Sequence, residues 1–319
     1  MKLRLRLNAD FTGPHAWFFL ALERGYFRDR GLDLELLPGE GAAAIVPTIG
    51  HAGVEAGYGD INALAELAAR APGTAPLMVF QMFNRVPFTI AVRADGPIRH
   101  AGDLQGRRLI GKRDDAAMVL FPALAEAAGL KLESIQVEVS PLPMGEQVRD
   151  ALLTGQVDGV FGFVNTIIAA VAPLGVDPAS LRFIEYSDLL PDLYGNGLMV
   201  SRALLAQAPA TVQALVQGLN QGVHETLQDI DAGMAALARA VPAINLATQG
   251  RRLLGTIAME MAHPEGARIG IGDVDDARLE RGVAQLARSC GWPRAPTAGE
   301  LFTREFLPAL HERVRSLAR

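Results

Sequence analysis

Ten short runs of strand character alternate with helical runs from residue 3 to about residue 200, and after that the strand signals stop. The strand-like runs are residues 3–7, 32–37, 54–58, 76–83 and 88–93, then 107–110, 135–140, 157–161, 181–186 and 197–201. Helical patterns fall between them, at 42–49, 62–70, 116–128, 146–153 and 166–172. Alternation of this kind predicts parallel sheets with helices on both faces. The tail then reads as helices alone, over 210–230, 234–240, 246–262, 274–288 and 303–316. A β/α first part with an all-helical tail is not a simple doubly wound fold.

Composition narrows the class. A chain of 319 residues is long enough for two domains, each with its own core. Its net charge of −5 and the lack of any long basic run argue against a nucleic-acid partner. The single cysteine, Cys290, excludes an internal disulfide and a thiolate-ligated metal cluster, and reads as a small core residue. No apolar stretch reaches the roughly 18–20 residues a membrane helix needs.

Residues 17–38, WFFLALERGYFRDRGLDLELLP, run from an apolar helix into Gly25-Tyr26-Phe27. A charged turn ends on Gly31, and a strand follows in which Leu32, Leu34 and Leu36 alternate with Asp33 and Glu35. This opening resembles that of type II solute-binding proteins of bacterial ABC importers, in the group of thiamine-pyrimidine-precursor, riboflavin and alkanesulfonate/taurine binders. Residues 98–110, IRHAGDLQGRRLI, resemble the family's entry into its second lobe. Gly155-Gln156-Val157-Asp158-Gly159 resembles one of its strand starts.

The resemblance implies a two-lobed α/β fold of the periplasmic-binding-protein type II class. Each lobe is a mostly parallel sheet flanked by helices, with two crossover strands and a helical C-terminal region. Residues 1–91 and 197–319 form one lobe, and 92–196 the inserted other. The implied protein is a monomeric receptor that closes its lobes on a small solute and delivers it to a membrane permease, with no cofactor. It would be periplasmic, its leader removed, or cytoplasmic if Met1 is the native start, because Met1-Lys2 leads directly into the first strand.

In open α/β sheets, ligands bind beyond the carboxyl ends of the strands. The first such junction holds Asp10, Thr12, His15 and Trp17, with Pro14 opening a helix whose amides would face the ligand. Trp17 is either core or a stacking wall, and His15 a contact or a solvent-facing side chain. Glu40 and Gly41 follow the second strand, where a helix is expected to begin. Oxyanion binders of the superfamily usually carry hydroxyls here, and this chain has none between Gly41 and Ala44. Asp60, with Asn62 beyond it, is placed to cap a helix or meet a ligand. Asn84 and Arg85 lie near the first crossover, and Tyr194 and Asn196 on the return. The inserted lobe offers Lys112, Arg113, Asp115, Met144, Phe163 and Asn165. Phe163 opposite Trp17 would sandwich a ring.

Together these candidates suit a planar heterocycle such as a thiamine-pyrimidine precursor. The competing solute is an aliphatic sulfonate or carboxylate held by Lys112, Arg113 or Arg85. An enzymatic reading has little support. Motifs of the serine-hydrolase, zinc-protease and nucleotide-loop kinds are missing, and the six histidines lack metal-ligand spacing. The pyrimidine-synthesis enzymes of this fold use a cysteine-rich motif that Cys290 alone cannot supply. Effector domains of transcription regulators share the fold, but they follow a helix-turn-helix, and here the first strand begins at residue 3.

Overall fold

The computed structural model describes residues 1–315 and 317. It contains two five-stranded sheets, β1 Lys2–Arg6, β2 Asp33–Leu37, β3 Ala56–Asp60, β4 Leu77–Gln81 and β10 Asn196–Val200 in one. The other holds β5 Phe88–Arg93, β6 Arg108–Gly111, β7 Gln136–Val139, β8 Gly159–Phe163 and β9 Leu181–Glu185. All ten expected strands are present, each within two residues of its expected start. The chain divides into two compact units. The first is Met1–Arg85, Leu193–Ala284 and Trp292–Arg319, and the second is Val86–Asp192 with Gln285–Gly291.

In the first unit the strand order is β2-β1-β3-β10-β4, with β1 parallel to β2 and β3, and β10 antiparallel to β3 and β4. In the second it is β7-β6-β8-β5-β9, with β6 parallel to β7 and β8, and β5 antiparallel to β8 and β9. Each sheet therefore has four strands running one way and one running back. The reversed strands are the first after the chain leaves the first unit (β5) and the first after it returns (β10). Helices flank both sheets, and the architecture is the two-lobed periplasmic-binding-protein type II fold.

The reason for the first sheet's stability is visible in its neighbours. The strands β3, β4 and β10 are buried at every residue. They pack with Trp17, Phe18 and Leu20 of helix Ala16–Glu23 and with Leu215, Leu219 and Val223 of helix Pro209–Gln228 in one core. Gly222 permits a close approach, since a β-carbon there would lie 2.4 Å from the Trp17 carbonyl oxygen. Burial of each large side chain contributes about 1.5–3 kcal/mol. The second unit has its own smaller core, around Val148, Leu152, Val160, Ile167 and Val171.

Three expected helices differ. Residues 42–49 form turns and a 3-10 segment, Val46–Thr48, because Pro47 lacks an amide and the Ala42 carbonyl accepts from Asp60 N at 3.0 Å. Residues 116–128 break at Leu120 into Ala116–Val119 and Phe121–Ala127, with Pro122 opening the second piece. Residues 303–315 are largely irregular, with a turn at residues 305–306 and a 3-10 segment at Leu310–Glu312, and Ser316, which ended that expectation, lies outside the described residues. There Phe302 bridges Met78 and Thr303 N donates to the Met78 carbonyl, which holds the chain extended beside β4. Among the described residues no helix is long and apolar enough to cross a membrane.

Candidate functional site

The carboxyl end of the first sheet gathers most of the candidates. After β1, the loop folds on itself. The Thr12 amide donates to His15 Nδ1 at 3.1 Å, and His15 Nε2 lies 2.7 Å from Asn8 Oδ1. With Nδ1 accepting, the proton sits on Nε2, which donates to Asn8. Burial, with the Arg252 charge as a second cause, pushes the imidazole down to about 3. His15 is therefore a neutral, fully engaged structural residue and not a solvent-facing one. The Gly13 amide donates to Gln249 Oε1 at 2.9 Å. The amides expected to face a ligand are thus spent inside the protein.

Trp17 is fully buried in the first unit's core, and its Nε1 finds no hydrogen-bond partner among the described residues. Glu40 is exposed beyond β2, and Gly41 begins turns in place of the expected helix. Asp60 caps the helix Ile61–Arg70 by accepting from the Asn62 and Ala63 amides, and burial raises its carboxyl to about 6. Asn62 Nδ2 donates to Asp60 Oδ1 and to the Tyr194 carbonyl, both at 2.8 Å. Asp10 and Arg85 are exposed.

Asn84 and Asn196 stand apart from this engaged set. Both side chains are buried, and neither amide group meets a partner among the described residues. Tyr58, on β3, is the same case: its hydroxyl is buried without a partner, and its ring meets Phe18, Phe83 and His15 edge-on. Buried polar groups without partners are uncommon in native proteins, and each is a place where a missing partner is worth seeking.

The helical tail supplies residues that sequence reasoning did not single out. Glu260 lies in a π-helical turn, Ile257–Met261, accepts from Thr256 Oγ1 at 3.2 Å, and its charge helps push the Tyr58 phenol upward after burial itself. It also supports the Arg252 cation against the burial that lowers it. Glu265 pairs with Arg278 at 2.6 Å, and Tyr194 donates to Glu265. No local motif announces the Tyr58–Glu260 or Tyr194–Glu265 pairings, because each joins residues more than seventy positions apart.

In the second unit the candidates occupy the matching strand ends. Lys112 and Arg113 follow β6, are exposed, and form no salt bridge or side-chain hydrogen bond among the described residues. Asp115 caps Ala116–Val119, and burial raises it to about 6. Phe163, at the end of β8, packs on Phe88 with ring centroids 5.3 Å apart, and Phe88 meets Tyr186 edge-on. Met144 is half-buried beside Gly162, and Asn165 is buried in the first turn of helix Val164–Val171. The structure thus collects Asp10, Thr12, His15, Trp17, Glu40, Gly41, Asp60, Asn62, Asn84, Arg85, Tyr194 and Asn196 in the first unit. Lys112, Arg113, Asp115, Met144, Phe163 and Asn165 fall in the second.

Comparisons with known proteins follow the same lines. The family profile "NMT1/THI5 like" matches residues 12–232. The riboflavin-binding protein RibY of Chloroflexus aurantiacus is 23% identical over 304 residues, covering 91% of this chain and 82% of that protein. The 4-amino-5-hydroxymethyl-2-methylpyrimidine phosphate synthase of Schizosaccharomyces pombe is 26% identical over 163 residues, covering 50% of this chain and 44% of the synthase. The alkanesulfonate-binding protein SsuA of Xanthomonas axonopodis pv. citri, solved with MOPS, shares the fold. Its TM-score is 0.69 at 18% identity, covering 94% of this chain and 98% of that one. The chain belongs to the NMT1/THI5-like family and carries the type II fold of the periplasmic solute receptors of ABC importers.

Proposed function

We propose that this protein is the solute-binding receptor of an ABC importer, working outside the cytoplasmic membrane and passing a small solute to a cognate permease. The observation that carries this reading is the family match over 12–232 joined to a fold match along nearly the full length of a solute-binding protein. The site supports a binder over a catalyst. Its titratable groups His15, Asp60 and Asp115 are committed to structural hydrogen bonds.

For the solute, the leading reading is an aliphatic sulfonate or carboxylate. Arg85, Lys112 and Arg113 are three exposed cations on strand-end loops, and none is tied up in a salt bridge among the described residues. Charge-assisted hydrogen bonds to an anion are about twice as strong as neutral ones. The likeness to an alkanesulfonate binder adds to this. A second reading, a planar heterocycle such as a thiamine-pyrimidine precursor or a flavin, draws on Asn84 and Asn196. Each offers a buried donor and acceptor side by side, which matches the edge of an amino-pyrimidine or a flavin ring. The riboflavin-binding relative fits that choice.

A thermal-shift screen of alkanesulfonates, dicarboxylates, aminopyrimidines and riboflavin tests both, because a ligand that binds only the native state raises Tm. A sulfonate or carboxylate is expected to stabilise the protein, and less so in Arg85→Ala. Stabilisation by riboflavin or a pyrimidine alone would replace the leading reading with the second. No stabilisation by any class would remove both.

A further inference from the structure

The first unit's chain leaves at Arg85 and returns at Leu193. One guanidinium holds both ends of that excursion. Arg278 Nη2 donates to the Asn84 carbonyl at 2.6 Å and to the Leu193 carbonyl at 3.2 Å. Its Nη1 donates to Glu265 Oε2 at 2.6 Å, and its carbon lies 4.1 Å from the centroid of the Tyr194 ring. The Tyr194 hydroxyl in turn donates to Glu265 and accepts from the Asp275 amide at 2.9 Å. The Arg278 side chain is 7% exposed and that of Glu265 5%.

We infer that Arg278 is a positioning residue for the binding face of the first unit. By gripping the carbonyls of residues 84 and 193, it sets the backbone from which the unpartnered Asn84 amide projects and fixes where Tyr194 and Asn196 re-enter the sheet. The inference deepens the receptor reading and rests on it for the binding consequence, though not for the structural one. Three features make the arrangement specific. A planar fork can reach two carbonyls and a carboxylate at once, which an ammonium cannot. The pairing is charge-assisted and buried, so it is stiff. It also joins two chain segments over a hundred residues apart through a third, the helix Asp276–Ser289.

Nothing local marks Arg278 as more than a surface cation of an amphipathic helix. Its role comes from what the fold brings to it. Glu265 sits in the short helix Pro264–Ile269, whose cap His263 accepts from the Glu265 amide through Nδ1 at 3.2 Å, and the Asp275 amide donates to its carboxylate at 3.0 Å. Tyr194 closes the group from the return segment, where the Gly195 amide also donates to the Phe83 carbonyl at 2.9 Å. The exit and return segments are therefore bonded to each other as well as to Arg278, whose guanidinium links both of them to the tail.

The test is Arg278→Lys, which keeps the charge and loses the fork, read first by hydrogen exchange in the solute-free protein. The amides of Met82, Phe83 and Gly195, all bonded between the two segments, are expected to exchange ten-fold or more faster. Amides in β1 of the same unit and in β6 and β8 of the second are expected to keep wild-type rates. Uniform acceleration across the first unit would show a merely structural role and overturn the inference, as would no change at residues 82–85 and 193–196. If Arg278→Lys does not fold, Glu265→Gln, which loosens the same guanidinium, is expected to give the same local pattern with a smaller rate change. Uniform or absent change there overturns it equally.

The binding arm uses whichever of the four solute classes shifts Tm in the screen, with an expected ten-fold rise in Kd for Arg278→Lys. An unchanged Kd beside locally faster exchange would confine Arg278 to the backbone and defeat the claim on the binding face. A screen with no hit strikes at the receptor reading and leaves the exchange result to decide the positioning of the two segments.

Discussion

The strand-end loops of the two units are built differently. In the first unit they are locked: Thr12 and Gly13 give their amides to His15 and Gln249, Asn62 braces Asp60 and the Tyr194 carbonyl, and Arg278 holds both chain crossings. In the second, Lys112, Arg113 and Asp114 are exposed, Asp115 is the helix cap, and the edge strand β7 is exposed at all four residues. Two of the anchors in the first unit, Gln249 and Arg278, come from the helical tail, and the other two, His15 and Asn62, from its own strand-end segments. The contrast is between loops fixed by internal hydrogen bonds and a loop whose charged side chains are exposed.

The sharpest attempt to break that contrast is a pair of glycine substitutions. At Gly13 a β-carbon would sit 2.0 Å from the Gln249 carbonyl oxygen, a backbone atom that cannot step aside cheaply. Gly13→Ala is expected to destabilise the protein by about 3 kcal/mol or more, read from the denaturant midpoint. In the second unit, Gly129 has φ +68 and nothing within 4 Å of its would-be β-carbon. Gly129→Ala should cost only about 1 kcal/mol, from the left-handed backbone alone. Similar losses at both sites would mean the first loop is no tighter than the second unit's turns.

A second pair of changes sharpens the comparison through pH. Asp60 in the first unit and Asp115 in the second are both raised by burial from 3.8 to about 6. A carboxyl whose folded pKa is raised gives stability that is complete below pH 3.8 and lost as pH climbs through about 6. Asp60→Asn and Asp115→Asn keep a capping oxygen, so each should flatten the fall in stability between pH 4 and 6 by on the order of 1–3 kcal/mol. His15 works the other way and only in the first unit. Its folded pKa is depressed from 6.5 to about 3, so its contribution is present above pH 6.5 and lost as pH falls toward 3. His15→Gln should therefore remove a loss on acidification that no variant of the second unit's loops removes. Urea titrations at pH 4, 5, 6 and 7 check all three, and an unchanged pH slope in either aspartate variant would count against a buried, ionised cap.

What the sequence made legible follows the same division. All ten strands could be read, because strand pairing in both sheets draws on short apolar runs with flanking glycines, and that pattern is local. The Asp60 cap could be read for the same reason, from an acid directly before an apolar run; of the adjacent Asp114 and Asp115, which the sequence could not tell apart, it is Asp115 that caps. The two helices that failed outright did so where a distant partner intervened: Asp60 takes the Ala42 carbonyl, and Met78 draws residue 303 alongside β4. The site was legible only in part. Strand-end positions pointed to these loops, but Gly13 is engaged by Gln249 from 236 positions away, and in the Glu265–Arg278–Tyr194 group Tyr194 meets Glu265 across 71 positions while Arg278 reaches the residue 193 and 84 carbonyls across 85 and 194.

The smallest expected effect on stability falls on the exposed loop of the second unit and tests whether it binds. Lys112 and Arg113 are exposed on the loop after β6 without a salt-bridge partner among the described residues, so removing either leaves no buried group unpaired. Lys112→Ala and Arg113→Ala are each expected to move stability by no more than about 0.5 kcal/mol. If the solute is an anion, the same changes should weaken its binding, by roughly 1–3 kcal/mol for a direct charge-assisted contact and more at low salt than at high. Loss of stability with unchanged affinity would make these residues part of the second unit's scaffold. Loss of affinity with unchanged stability would place the solute's charged group on the second unit's loops, opposite in character to the engaged loops of the first. Calorimetric titration of the screened solute at two salt concentrations, beside denaturant curves of the same two variants, separates the outcomes.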